Sequence, residues 1–324
     1  PIATQDTSAS TAWSSGWTGS GVKVGVVDNF NSNSQIDIHG DWVSLVINSV
    51  APEATLGLSN ISNLGDPCNA TVSSQNNDVE NAYDAMENQG YHIVNNSWGI
   101  EKYYLDCFGN GNLIADSTWN ASVNTDVQAA INSTSAPYNS NMLFIYAAGN
   151  SAQNCGSSSL ESCNYFASVF KGLKDRGVSN PTSRVMWVGS VVDGGTNMTN
   201  YSLQAGNMGE DFMVANDDIL TSGDADGTSF AAPYVSGTAA LMLAVNSCLT
   251  NDDLETLLKA SAANIDAVNS SYVGLIGAGR LDAYEAVILA SQTEKLIVDG
   301  NAQVACTASS GSISVTGSAG MAPY

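Results

Sequence analysis

Apolar runs and helical stripes alternate along most of this chain. The β-branched run Val22-Lys23-Val24-Gly25-Val26-Val27 ends at Asp28 and reads as a buried strand of a parallel sheet. Further strands are predicted at 54–58, 92–95, 142–148 and 185–191. Between them the spacing predicts helices at 42–47, at 79–88 and around 123–131. The second shows a stripe of Val79, Ala82, Tyr83 and Met86 that stops before Gly90. A longer helix is expected from Ser229 to about 246, followed by two more at 254–262 and 283–291. Such alternation predicts an α/β fold with a largely parallel sheet. From residue 293 the chain turns rich in Gly, Ser and Ala, with one strand-like stretch at 312–315. We therefore expect a main domain over 1–292 and a short β-type extension over 293–324. That extension reads either as an appendage or as the truncated start of a larger region.

Composition narrows the partners. The net charge of -22 arises from 31 acidic residues against only 9 Lys and Arg, which disfavours nucleic acid and anionic membranes as partners. No uninterrupted apolar run nears eighteen residues, so no membrane span is expected. The start at Pro1-Ile2-Ala3, with polar residues following, reads as a processed mature N-terminus. Six cysteines without a Cys-x-x-Cys pair point to disulfides in an oxidising compartment, hence to a secreted or cell-surface protein. Cys155 and Cys163 bracket a short Gly/Ser loop and form the first expected pair. Cys68–Cys107 and Cys248–Cys306 follow by proximity, and buried free thiols are the alternative.

The chemistry centres on Gly227-Thr228-Ser229-Phe230-Ala231-Ala232-Pro233. A serine at a Gly-Thr-to-helix junction projects its hydroxyl beside unpaired N–H groups and a partial positive charge. A serine nucleophile needs a base. The chain has two histidines: His92 lies inside a strand pattern and reads as structural, whereas His39 sits at a loop-to-helix transition. Asp28, at the carboxyl end of the first strand, stands where ligand and catalytic groups gather in open α/β sheets. There it can orient an imidazole and stabilise its charged form.

These segments, in the order Asp, His, Asn, Ser, resemble the subtilisin-like serine proteases (subtilases). The resemblance rests on the strand ending at Asp28, on His39-Gly40-Asp41-Trp42-Val43, on Ala147-Ala148-Gly149-Asn150 and on the serine segment. It implies a doubly wound, mostly parallel sheet flanked by helices, and a secreted endopeptidase acting on protein or peptide substrates, with a pro-segment as a further candidate partner. It implies Ser229 as nucleophile, His39 as base, Asp28 as orienting acid, and Asn150 with the Ser229 N–H as oxyanion donors. Ser97, Trp98 and Gly99 would bind an extended substrate backbone, and Ala147, Ala148 and Gly149 would complete an open specificity pocket. No cofactor is required for this chemistry. Structural calcium is common in the family, but no loop here names its ligands, so the metal residues stay unassigned. Two departures stand out. Asp41 and Trp42 replace the commoner Thr and His, and the Asp28–His39 link is short, which suggests a trimmed rim. Those departures motivate the alternative of a catalytically silent binding or adhesion module. A serine esterase would instead show Gly-x-Ser-x-Gly, but Ala231 occupies the second glycine position.

Overall fold

The computed structural model describes residues 9–30, 39–61, 72–102, 115–131, 141–178, 184–192, 195–218 and 226–293, the side chains of 72–78 excepted. Six strands make one sheet: β1 (Lys23–Asp28), β2 (Thr55–Asn60), β3 (Ile93–Asn96), β4 (Leu143–Ala147), β5 (Val185–Val191) and β6 (Phe212–Asn216). Their order is β2-β1-β3-β4-β5-β6, and every neighbouring pair is parallel. The order reverses between β1 and β3. In such sheets that reversal opens a crevice outside the carboxyl ends of the strands.

Nine α-helices accompany the sheet among the described residues: α1 (Ala9–Ser14), α2 (His39–Val50), α3 (Val72–Asn88), α4 (Asp116–Ile131), α5 (Leu160–Cys163), α6 (Tyr165–Asp175), α7 (Thr228–Val245), α8 (Asn251–Ser261) and α9 (Ala283–Gln292). The period-two alternation of the strands sorts them into two layers. Val24, Val26, Ile93, Leu143 and Ile145 pack in one cluster with α2, α7 and α9. Val27, Val94, Phe144, Tyr146 and Trp187 pack in the other with α3, α4 and α6. The doubly wound architecture expected from the sequence is therefore present.

Helix α7 is the axis of the first layer. It is long and apolar enough to cross a membrane by length and composition, although Thr, Ser and Gly interrupt its apolar residues. Yet 83% of it is buried inside the fold. An all-round apolar helix of this kind is a core helix. Helices α6 and α1 and strand β6 were not anticipated. The predicted helices at 42–47 and 123–131 extend to twelve and sixteen residues.

The chain divides into two compact units, Pro1–Thr293 and Glu294–Tyr324. The second lies outside the described residues, together with Cys306 and the predicted strand at 312–315. Cys68 and Cys107 lie outside them as well. Cys155 and Cys163 are joined by a disulfide with a Cα–Cα distance of 6.0 Å. Cys248 is also disulfide-bonded.

Candidate active site

Alternation along β1 decides where Asp28 points. It shares parity with Val24 and Val26, which face the layer of α2 and α7. His39 is the first residue of α2 and Ser229 the second of α7. Three segments distant in sequence thus converge at one carboxyl edge of the sheet, on one face.

Asp28 is 2% exposed. Its Oδ1 accepts hydrogen bonds from His39 Nδ1 at 2.8 Å and from the Asn29 N–H at 2.7 Å. A carboxylate only accepts, so Nδ1 carries the proton and Nε2 is left with its lone pair. The His39 side chain is 38% exposed, open enough to meet a substrate. Residues 31–38 of the short link lie outside the described residues. His92 lies at the opposite end of β3, its residue largely open to solvent, and partial desolvation of the ring and the nearby Lys23 lower its pKa.

Gly227 precedes α7 with φ of 150°, a conformation that only glycine adopts readily. The Ser229 N–H then falls in the first helical turn, among donors without an intrahelical acceptor. The Ser229 hydroxyl donates to the Ser97 carbonyl at 2.8 Å. No hydrogen bond joins it to His39 in this structure. The imidazole instead lies beside the next residue, its ring centroid 5.5 Å from that of Phe230.

Asn150 lies three residues past β4. Its Oδ1 accepts from the Thr228 N–H at 3.0 Å and from Thr228 Oγ1 at 3.1 Å. The same hydroxyl accepts from the Gly149 N–H at 3.0 Å. With the amide oxygen held this way, Nδ2 is turned toward Gly227, 3.3 Å from where a Cβ there would stand.

Ser97 is tied to α7 through a polar relay. Ser236 Oγ donates to Asn95 Oδ1 at 2.9 Å, and Asn95 Nδ2 donates to Ser97 Oγ at 2.8 Å. The Trp98 ring packs edge-on against Phe166 and Tyr146. Ala147 and Ala148 are buried, and Gly149 leads into Asn150.

Two residues that the sequence reading missed join these segments. Asn164 Nδ2 donates to the Ala148 carbonyl at 3.0 Å and lies 3.0 Å from where a Cβ on Gly99 would stand. Glu101 Oε1 accepts from the Asn150 N–H at 2.8 Å. Burial pushes the Glu101 carboxyl above the usual carboxylate range, against hydrogen bonds from Ser151 and Asn150 that pull it down. The signal for Asn164 was legible: it caps α6, accepting from the Ala167 N–H, just before an apolar stripe. Among the described residues, no group of three or more His, Cys, Asp or Glu stands where it could hold a metal ion.

The subtilase family model matches residues 24–279, a span that contains all of these groups. The chain belongs to the subtilase family. Subtilases are serine endopeptidases, and this chain is one by membership. Solved structures share the fold of this subtilase. One is the prenylagaramide maturation protease PagA, 20% identical with a TM-score of 0.58, the match covering 87% of this chain and 98% of that one. A lanthipeptide protease is 19% identical at 0.58, with 89% and 93% covered. MycP1 from Mycobacterium smegmatis is 19% identical at 0.57, with 93% and 86% covered. At such identities the likeness speaks to this subtilase's fold alone.

Proposed function

We propose that the chain cleaves peptide bonds through an acyl-enzyme at Ser229. His39 Nε2 takes the Ser229 proton as the hydroxyl attacks the scissile carbonyl. It then returns that proton to the leaving amine. Asp28 holds His39 in the tautomer this requires and stabilises the imidazolium. Asn150 Nδ2 and the Ser229 N–H receive the oxyanion. Water attacks the acyl-enzyme by the same route and frees the acid product.

The observation that carries this reading is the Asp28–His39 bond at the N-terminus of α2, beside the residue that follows Ser229. The Ser229 hydroxyl must turn from the Ser97 carbonyl to the imidazole. Catalytic hydrogen bonds often tighten only when substrate arrives. An extended substrate backbone lies along Ser97-Trp98-Gly99, with its side chain against Ala147-Ala148-Gly149. The Cys155–Cys163 disulfide supports a secreted or cell-surface location. A pro-segment that occupies the same groove before activation is a candidate partner. Bound calcium is a further candidate, which titration calorimetry would detect.

The rival reading, a silent binding module, draws on the Ser229 hydroxyl facing Ser97 rather than His39. A fluorophosphonate probe separates the two. We expect labelling at Ser229, and loss of both labelling and casein hydrolysis in Ser229→Ala. Folded protein that takes no label supports the silent module. Full hydrolysis by Ser229→Ala overturns the assignment of the nucleophile.

A further inference from the structure

Glu101 is a carboxyl group in an expensive place. It is 7% exposed, yet among the described residues no cation faces it. The neighbouring Lys102 ammonium pairs instead with Asp116. Glu101 Oε2 is buried without a hydrogen-bond partner at normal geometry, although the Ser151 hydroxyl and N–H lie close enough to the carboxyl to lower its pKa. Its other oxygen, Oε1, accepts the Asn150 N–H at 2.8 Å. That oxygen also stands 2.9 Å from where a Cβ on Gly149 would be, so the carboxyl lies against the turn that carries Asn150.

The segment bearing Glu101 is firmly held. The Lys102 N–H donates to the Cys163 carbonyl at 2.8 Å, and the Tyr165 N–H donates to the Ile100 carbonyl at 2.8 Å. These bonds fasten it to the disulfide-closed loop and to the start of α6. Glu101 therefore presents a fixed acceptor to the Asn150 backbone. The Asn150 side chain is fixed separately, through Thr228. Both anchors are needed to place an amide nitrogen: one sets the backbone from which it projects, the other its rotation. A donor displaced by an ångström loses much of its benefit to an oxyanion.

We propose that Glu101 is a positioning residue for the oxyanion donor: by accepting the Asn150 N–H it fixes where Asn150 Nδ2 stands. This rests on the reading of Asn150 given above. Charge is not what the role demands, since any acceptor of the same reach serves it. Glu101→Gln keeps an oxygen for the Asn150 N–H, whereas Glu101→Met keeps the volume and removes the acceptor.

The test is steady-state kinetics on a peptide substrate, with enzyme concentration set by active-site titration. The proteins are wild type, Glu101→Met, Glu101→Gln, Asn150→Ala and the Glu101→Met/Asn150→Ala double variant. Asn150→Ala is expected to lower kcat about a hundredfold or more. Glu101→Met should lower kcat about tenfold with KM within about twofold, and Glu101→Gln should return kcat to within about threefold of wild type. In the Asn150→Ala background, Glu101→Met should cost less than about twofold further, because its effect travels through a group already removed. Additive losses, or a Glu101→Met effect on KM alone, overturn the positioning role while leaving the reading of Asn150 intact. Wild-type kcat in Asn150→Ala overturns that reading and the inference with it.

Discussion

Replacing Asp28 by Asn tests the charge on the proposed orienting acid separately from its geometry. The usual concern with this change is an amide that presents its NH2 group to the imidazole and holds the wrong tautomer, a loss on the order of 10⁴ in kcat. The structure argues against that here. Asp28 Oδ1 accepts both from His39 Nδ1 and from the Asn29 N–H. A flipped amide would set its NH2 against the Asn29 N–H, so the carbonyl stays and the tautomer is kept. What is lost is the attraction between carboxylate and imidazolium in the transition state. Two unit charges about 4 Å apart interact by about 4 kcal/mol at an effective dielectric of about 20. The partial exposure of His39, at 38%, screens this to about 3 kcal/mol. The expected fall in kcat is on the order of 10²- to 10³-fold. It would be read on a peptide substrate at saturation with titrated enzyme, with a melting curve to confirm the fold. A fall below tenfold would refute the role of the Asp28 charge. A fall of about 10⁴ or more would refute the argument that Asn29 pins the amide.

Three further outcomes follow from single features. Burial raises the Glu255 pKa from 4.5 to about 7, against the bond to Lys259. The folded state thus holds this proton more tightly than the unfolded one, and the stability it confers is complete below about pH 4.5 and lost as pH rises through about 7. The loss is about 3 kcal/mol, and urea denaturation of Glu255→Gln across that window should show a correspondingly flatter profile; parallel profiles would contradict it. Gly227→Ala forces a side chain into φ of 150° with its Cβ 3.3 Å from Asn150 Nδ2. It should lower kcat more than tenfold and stability by about 1–3 kcal/mol, and wild-type kcat at wild-type melting temperature would contradict it. Replacing Cys155 and Cys163 together by Ser opens a loop of sequence separation 8, at a cost of about 2.5 kcal/mol measurable by denaturant titration.

Legibility in the sequence divided along physical lines. Strands β1, β4 and β5 were readable because both faces are buried and their residues form continuous apolar runs. The placement of Asp28, His39 and Ser229 at element ends was readable because each closes or opens a recognisable apolar segment. Strand β6 was missed although Phe212-Met213-Val214-Ala215 is as apolar as the others and lies between Gly209-Glu210-Asp211 and Asn216-Asp217-Asp218, so its signal was legible. Helix α6 was missed although Tyr165, Phe166, Val169, Phe170 and Leu173 follow a helical stripe behind an Asn cap. Glu101 carried no local signal of its role, and Asn164 showed only its helix cap, since their partners at the site lie 49 and 16 residues away. Long-range polar bonds of this kind are written in the topology, not in any window of sequence.

The two halves of the site are therefore held by different forces. Ser229 and His39 sit on α7 and α2, whose apolar faces interlock in one cluster with Val24, Val26 and Ile145. Moving either side chain means moving a packed helix, so that half resists all but core substitutions. Asn150 stands on a turn past β4, and its place depends on hydrogen bonds from its own backbone to Glu101 and from Thr228 to its side chain. Deleting a single acceptor loosens that turn, which the Leu203 N–H bond to the Gly149 carbonyl still holds, without disturbing a helix. Substitutions remote from the core should thus affect the oxyanion side while sparing the Asp28–His39 bond. Core substitutions should affect Ser229 and His39, the proposed nucleophile and base, together. A set of variants in which serine labelling and peptide turnover always fell in proportion, whichever half was altered, would contradict this division.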